Sequence, residues 1–310
     1  MSCLWGEFFT LRVVTMSLEA RVLLEARSSK GKSARASPWS YEVNNVNGRV
    51  VFELLGPFSA HLNNQPVMPS APKQRQILAL LALNAGRVVT TQTLVEELWG
   101  DQPPRSFATT LQTYILQLRA KLGTAARDRD QARLLLETRH TGYQLDGQLC
   151  ETDVAEFNNL ARAGRRAVDA GDPRASSELL GCALALWRGP ALVDVPAGRI
   201  LRAEVGSLEE NRLGVLERRI EADLALGRHA DLLGELTMLM AKHPMHENFY
   251  AQLMTAYYRS GRAGYALEAF RRIRTVLRNE LGVEPGPRLQ RLHQAILAGA
   301  LDAEPVRLAS

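Results

Sequence analysis

The sequence predicts an α+β protein: a first half that mixes short strands with helices, then a second half that is all helix. Three observations carry this. Strand-like runs and turn residues alternate with helical stretches over residues 49–147, and strand signals disappear from Glu151 onward. A motif around Gly227 also returns 34 residues later around Gly261. The 310 residues suffice for two domains with buried cores.

Residues 1–48 stand apart. The run 27–38 is basic, polar and poor in large side chains, so it lacks the apolar area to offset its ordering entropy. A flexible leader is expected, with Met16 a candidate internal start. Residues 26–33 meet a loose phosphate-loop pattern, with Ala26 in place of the first glycine and Lys32 as the cation. Such a loop works only between a buried strand and a helix N-terminus. Residues 34–38 are a poor helix start, and nucleotide binding is not expected.

From Arg49 the elements follow in order. Residues 50–55 and 58–62 read as strands about Gly56-Pro57, and Asn63-Asn64 turns the chain into residues 66–68, which suggests a small antiparallel sheet. Residues 73–85 form a helix with Ile77, Leu78, Leu80, Leu81 and Leu83 apolar, ending at Gly86. Thr90 or Thr91 caps a second helix over 92–99, with Leu94, Val95, Leu98 and Trp99 inward and Gly100 closing it. Pro103–Ser106 leads into a third helix, 107–122, that buries Leu111, Ile115, Leu118 and Leu122, with Tyr114 beside them. Residues 134–145 then read as two short strands around a turn at Thr141-Gly142, where Gly142 is expected to supply a positive φ. Three helices closed by a hairpin make a winged helix-turn-helix domain over residues 49–147.

The second half predicts helices over 154–170, 174–187, 200–226, 229–242, 247–260, 263–281 and 287–297. A 34-residue helix–turn–helix period is the tetratricopeptide signature, and two partial copies need flanking helices to complete a stack. Residues 151–298 are therefore expected to form a tetratricopeptide-like domain, with 299–310 a tail. Tyr257, Tyr258, Tyr265 and Phe270 are expected mainly in its core. Arg271, Arg272, Arg274 and Arg278 read as a solvated face, or alternatively as a strip facing polymerase or DNA.

Composition bounds the function. Lys and Arg total 38 against 33 Asp and Glu, a net charge of +5 that permits a nucleic-acid partner without requiring one. Cys3, Cys150 and Cys182 show neither metal-ligand spacing nor a disulfide framework, so a reducing cytoplasm is the expected location. No apolar run approaches a membrane span, and no signal peptide is expected. His243 and His246 are interrupted by Pro244 and read as a loop rather than a metal pair. No enzymatic constellation is visible, and neither cofactor nor metal is expected.

The third helix and the hairpin carry the functional reading. A helix fits the major groove of duplex DNA, and a basic hairpin reaches the adjacent backbone or minor groove. Opposite the buried stripe lie Thr109, Thr110, Thr113, Gln117 and Ala120, flanked by Gln112 and Arg119. Gln pairs with adenine, and Thr meets base edges or a thymine methyl. Arg105, Arg119, Lys121, Arg139 and His140 are assigned to phosphate, with Thr141 beside them at the wing turn. The alternatives are a solvated amphipathic face for this helix and, for Arg119, a salt bridge or structural role. Trp99 and Tyr143 read as core.

Several stretches resemble a known family. Leu98-Trp99-Gly100, Leu118-Arg119-Ala120-Lys121-Leu122 and Thr141-Gly142-Tyr143-Gln144-Leu145 resemble the OmpR/PhoB-type winged-helix DNA-binding domain. Residues 185–190, 208–212, 256–262 and 280–286 are similar to the bacterial transcriptional activation domain. In this order the two look like a Streptomyces antibiotic regulatory protein (SARP), over residues 49–298. The resemblance implies a transcriptional activator that binds direct repeats upstream of promoters in secondary-metabolite clusters. It implies double-stranded promoter DNA, RNA polymerase holoenzyme and a second copy of the chain on DNA as partners. It also suggests a small form without the ATPase or phosphopeptide module of larger relatives, and no receiver domain to be phosphorylated. The competing readings are a tetratricopeptide scaffold whose winged helix serves protein contacts, and a nucleotide switch resting on Lys32.

Overall fold

The computed structural model describes residues 49–126 and 128–300. The leader motif at 26–33, with Lys32, lies outside them, as does Met16. The described residues divide into two compact units: residues 49–163 with 182–211, and residues 164–181 with 212–300.

The first unit opens with β1 (Val50–Glu53), β2 (Ser59–Leu62) and β3 (Gln65–Pro66). Asn63 and Asn64 have φ of 50° and 61°, the left-handed pair that a two-residue hairpin turn requires, and Leu62 pairs with Gln65 across it. Next come α1 (Pro72–Leu83), β4 (Val89–Thr90), α2 (Thr91–Trp99), α3 (Phe107–Ala126), α4 (Arg129–Leu135), β5 (Leu136–Arg139), β6 (Gly142–Leu145) and β7 (Cys150–Thr152). Thr90 caps α2 by accepting from the Thr93 amide at 3.1 Å. The sheets run β3-β2-β1-β7 and β4-β6-β5. Phe52, Leu54, Ile77, Leu81, Leu94, Leu111, Ile115, Leu118 and Leu145 share one core.

The structure departs from expectation at four points. Strands do not stop before Glu151, because β7 includes it and pairs in parallel with β1, Val50 opposite Cys150 and Phe52 opposite Thr152. Three residues are too few to show an alternating pattern, and the first sheet is mixed rather than antiparallel. The third helix runs to Ala126, beyond Leu122. The stretch that begins at Leu134 starts inside α4, whose Ala132 and Leu135 are buried while Leu134 is exposed. Asp128 caps α4 by accepting from the Asp130 amide at 2.8 Å.

The remaining helices are α5 (Asp153–Asp169), α6 (Pro173–Ala185), α7 (Arg199–Ala225), α8 (His229–Lys242), α9 (Glu247–Arg259), α10 (Ala263–Leu281) and α11 (Pro287–Leu297). Gly227 and Gly261 close the α7–α8 and α9–α10 corners with φ of 79° and 73°, so the 34-residue offset marks the same left-handed corner twice. Leu236, Phe249, Tyr250, Met254, Ile273 and Leu289 build the second unit's core. Tyr265 is not part of that core. It is 64% exposed on the first turn of α10 and stacks on Tyr257 with centroids 5.5 Å apart. Arg271 pairs with Glu268, while Arg274 and Arg278 pair with Glu284. His246 places Nε2 3.0 Å from a Glu217 carboxylate oxygen and stacks on Phe249.

Residues 182–211 contribute Leu192, Val195 and Leu201 to the first unit's core. Three carboxylates fasten this collar. Asp153 accepts from the Leu54 and Leu55 amides at 2.8 and 2.9 Å and from Arg188 at 3.0 Å. Asp194 accepts from the Phe58 amide at 2.7 Å. Glu97, on α2, accepts from the amides of Gly198 (2.6 Å), Ile200 (3.0 Å) and Leu201 (2.9 Å). Those are the orphan donors at the start of α7. Gly198 has no side chain with which to cap them, so Glu97 supplies the cap from another helix.

Candidate DNA interface

Helix α3 shows two faces. Leu111, Ile115, Leu118 and Leu122 are buried, whereas Thr109, Gln112, Thr113, Gln117 and Lys121 are exposed and Thr110 is half-buried. Arg105 is exposed in the loop before the helix. The chain has 33 acidic residues, yet none lies between Phe107 and Ala126. That omission matters because a carboxylate would be repelled by the phosphates lining a DNA groove. Thr113 donates its hydroxyl proton to the Thr109 carbonyl at 2.9 Å, so it presents lone pairs and a methyl outward. The Gln117 oxygen accepts from Gln74 on α1, which leaves its amide nitrogen to donate.

The wing is the β5–β6 hairpin. Its turn is His140-Thr141, one residue earlier than expected, and Arg139, His140 and Thr141 are all exposed. The Thr141 carbonyl accepts from the Thr91 amide at 2.9 Å, tying the tip to the start of α2. Gly142 does not adopt a positive φ. It is needed for close approach: a Cβ there would stand 2.8 Å from the Thr90 Cα and nearer still to the Val89 carbonyl. Arg139 pairs with Glu137 and donates Nε to Gln144 at 3.0 Å. Tyr143 is buried, and Trp99 is half-buried under the Lys73 ammonium, 4.6 Å from its ring centre.

Arg119 joins the helix to the wing. Its Nε donates to the Leu136 carbonyl at 2.8 Å and a terminal nitrogen donates to the Thr138 hydroxyl at 2.9 Å. Burial pushes its pKa down from the ordinary value. A lysine has one point charge and cannot span both acceptors. Arg119→Lys is therefore expected to lose roughly 1–2 kcal/mol of stability, read by thermal melting, despite keeping its charge. Arg119→Ala, which removes the charge, should leave the slope of log affinity against log salt unchanged, whereas loss of a phosphate contact would lower it by about one.

Two residues escaped the sequence reading. Leu116 lies on the exposed face of α3, and its place was detectable from the 3.6-residue period. Glu97 gave no signal, because its partners are main-chain amides about 100 positions away.

A groove-sized helix without acidic residues and a wing locked to it by Arg119 define a winged-helix, DNA-binding transcriptional regulator. Residues 65–145 match the family model described as "Transcriptional regulatory protein, C terminal", and residues 152–297 match "Bacterial transcriptional activator domain". Regulatory protein DnrI of Streptomyces peucetius is 54% identical over 79% of this chain and 90% of its own length. Regulatory protein AfsR of Streptomyces coelicolor is 39% identical over 81% of this chain, which spans only 24% of AfsR. The solved structure of Mycobacterium tuberculosis EmbR in complex with a low-affinity phosphopeptide superposes with a TM-score of 0.75 at 36% identity, covering 81% of this chain and 65% of that one. The chain belongs to the SARP family of transcriptional activators. Among the described residues, no helix is long and apolar enough to cross a membrane.

Proposed function

We propose that this protein activates the promoters of a secondary-metabolite gene cluster by binding direct repeats as two copies and recruiting RNA polymerase holoenzyme. In this reading residues 49–147 select the promoter and residues 151–298 act on the polymerase, in the cytoplasm and without enzymatic chemistry. Thr109, Thr110, Gln112, Thr113 and Gln117 read bases, while Arg105, Lys121, Arg139, His140 and Thr141 meet the sugar-phosphate backbone. The observation that carries it is the absence of any carboxylate from α3, beside an exposed face of Thr, Gln and Lys.

Footprinting on promoters adjoining the protein's own gene tests it, with protection of spaced repeats expected. Lys121→Ala should weaken all duplexes alike and lower the slope of log affinity against log salt by about one. Binding that ignores salt, or that protects no discrete site, would sink the proposal.

A further inference from the structure

Leu116 is 67% exposed, whereas the other aliphatic residues of the α3 stripe, Leu111, Ile115, Leu118 and Leu122, are at most 2% exposed. It lies on the outward face, displaced from the centre held by Thr113 and Ala120 toward the Gln112–Arg119 flank. Of its helical neighbours, Gln112, Thr113 and Ala120 are exposed and uncharged, and the half-buried Arg119 turns its guanidinium to Leu136 and Thr138. Lys121 and Arg105 lie on the same helix and its leading loop, with no acidic side chain from Phe107 to Ala126. The charge of this surface suits a polyanion, and Leu116 gives it one apolar spot.

Duplex DNA offers one apolar feature on its major-groove edge: the C5-methyl of thymine. Every other recognition atom there is a hydrogen-bond donor or acceptor, which a leucine would desolvate without replacing. We infer that Leu116 is a specificity-determining residue that packs on the methyl group of one thymine in the recognised repeat. This rests on α3 being the groove-facing helix. It adds a discrimination that the Thr and Gln side chains need not supply: A·T in one orientation only, through shape rather than hydrogen bonding.

The test separates this from the parent reading. Duplexes are first selected from a randomised pool with the full chain. In the selected site each thymine is then replaced singly by deoxyuridine, which removes the methyl and nothing else. At one position the replacement should weaken the wild-type protein about three- to fivefold, the worth of one buried methyl group. Leu116→Ala should bind the thymine and deoxyuridine duplexes equally at that position and respond normally elsewhere. A selected site without thymine, deoxyuridine tolerated everywhere, or an alanine variant that keeps the full methyl preference each overturns the inference while leaving DNA reading intact. If the pool yields no enriched sequence, the groove-facing role of α3 fails, and the inference with it.

Discussion

Glu97→Ala is expected to destabilise the protein by roughly 3–5 kcal/mol, the cost of leaving several partly buried donors without an acceptor. The variant strips the acceptor from the amides of Gly198, Ile200 and Leu201 at once. Leu201 is fully buried, so water cannot substitute at its amide. The first turn of α7 also loses a carboxylate at its positive end. Thermal melting should show a fall of about 10 °C or more for a domain of this size. Glu97→Gln keeps one acceptor oxygen and should fall between the two. An alanine variant that melts like the wild type would mean that the carboxylate does not hold α7.

Gly142→Ala is the second large effect. The new Cβ would meet the backbone of Val89 and Thr90, which no rotamer change can move. Strands β4 and β6 pair there through Val89–Tyr143 and Thr90–Gly142, and α2 begins at the next residue. Relief requires the strands to part, at about 3 kcal/mol by the usual cost of overpacking. Because the Thr91 amide and Thr141 carbonyl lie at the same junction, the wing tip should loosen too. Hydrogen exchange at the Thr91 and Tyr143 amides should accelerate, and DNA affinity should drop further than stability alone explains. Unchanged protection at both amides would show that the junction absorbs the methyl group.

Much of the fold was legible because it rests on periodicity. The apolar stripe of α3, the Thr90 cap, the Asn63-Asn64 turn and the glycine corners at 227 and 261 are local signals, and each lies in or beside its own element. What escaped was held by distant main chain. Strand β7 exists because β1 has an edge to pair with, and a three-residue segment cannot announce that. Gly142 was assigned to turn geometry, yet its reason is Val89, more than fifty positions upstream. The exposed polar face of α3 was visible in outline. That Arg119 donates to Leu136 and Thr138 was not, since a helical arginine looks the same whether it faces a phosphate or a carbonyl.

The capping of α7 by Glu97 also bears on how such regulators can be recombined. A hybrid gene that joins the winged helix of one relative to the later helices of another inherits the acceptor from one parent and the donors from the other. The donors are main-chain amides, which every residue but proline carries, so the seam places little demand on side-chain identity. A second demand falls on position 198, where a side chain would strike the Glu97 main-chain carbonyl and, at 2.8 Å, its carboxylate. A glycine at 198 and a carboxylate at 97 are therefore a pair to check together, beside the Asp153–Arg188 and Asp194–Phe58 contacts, before swapping regulators between pathways.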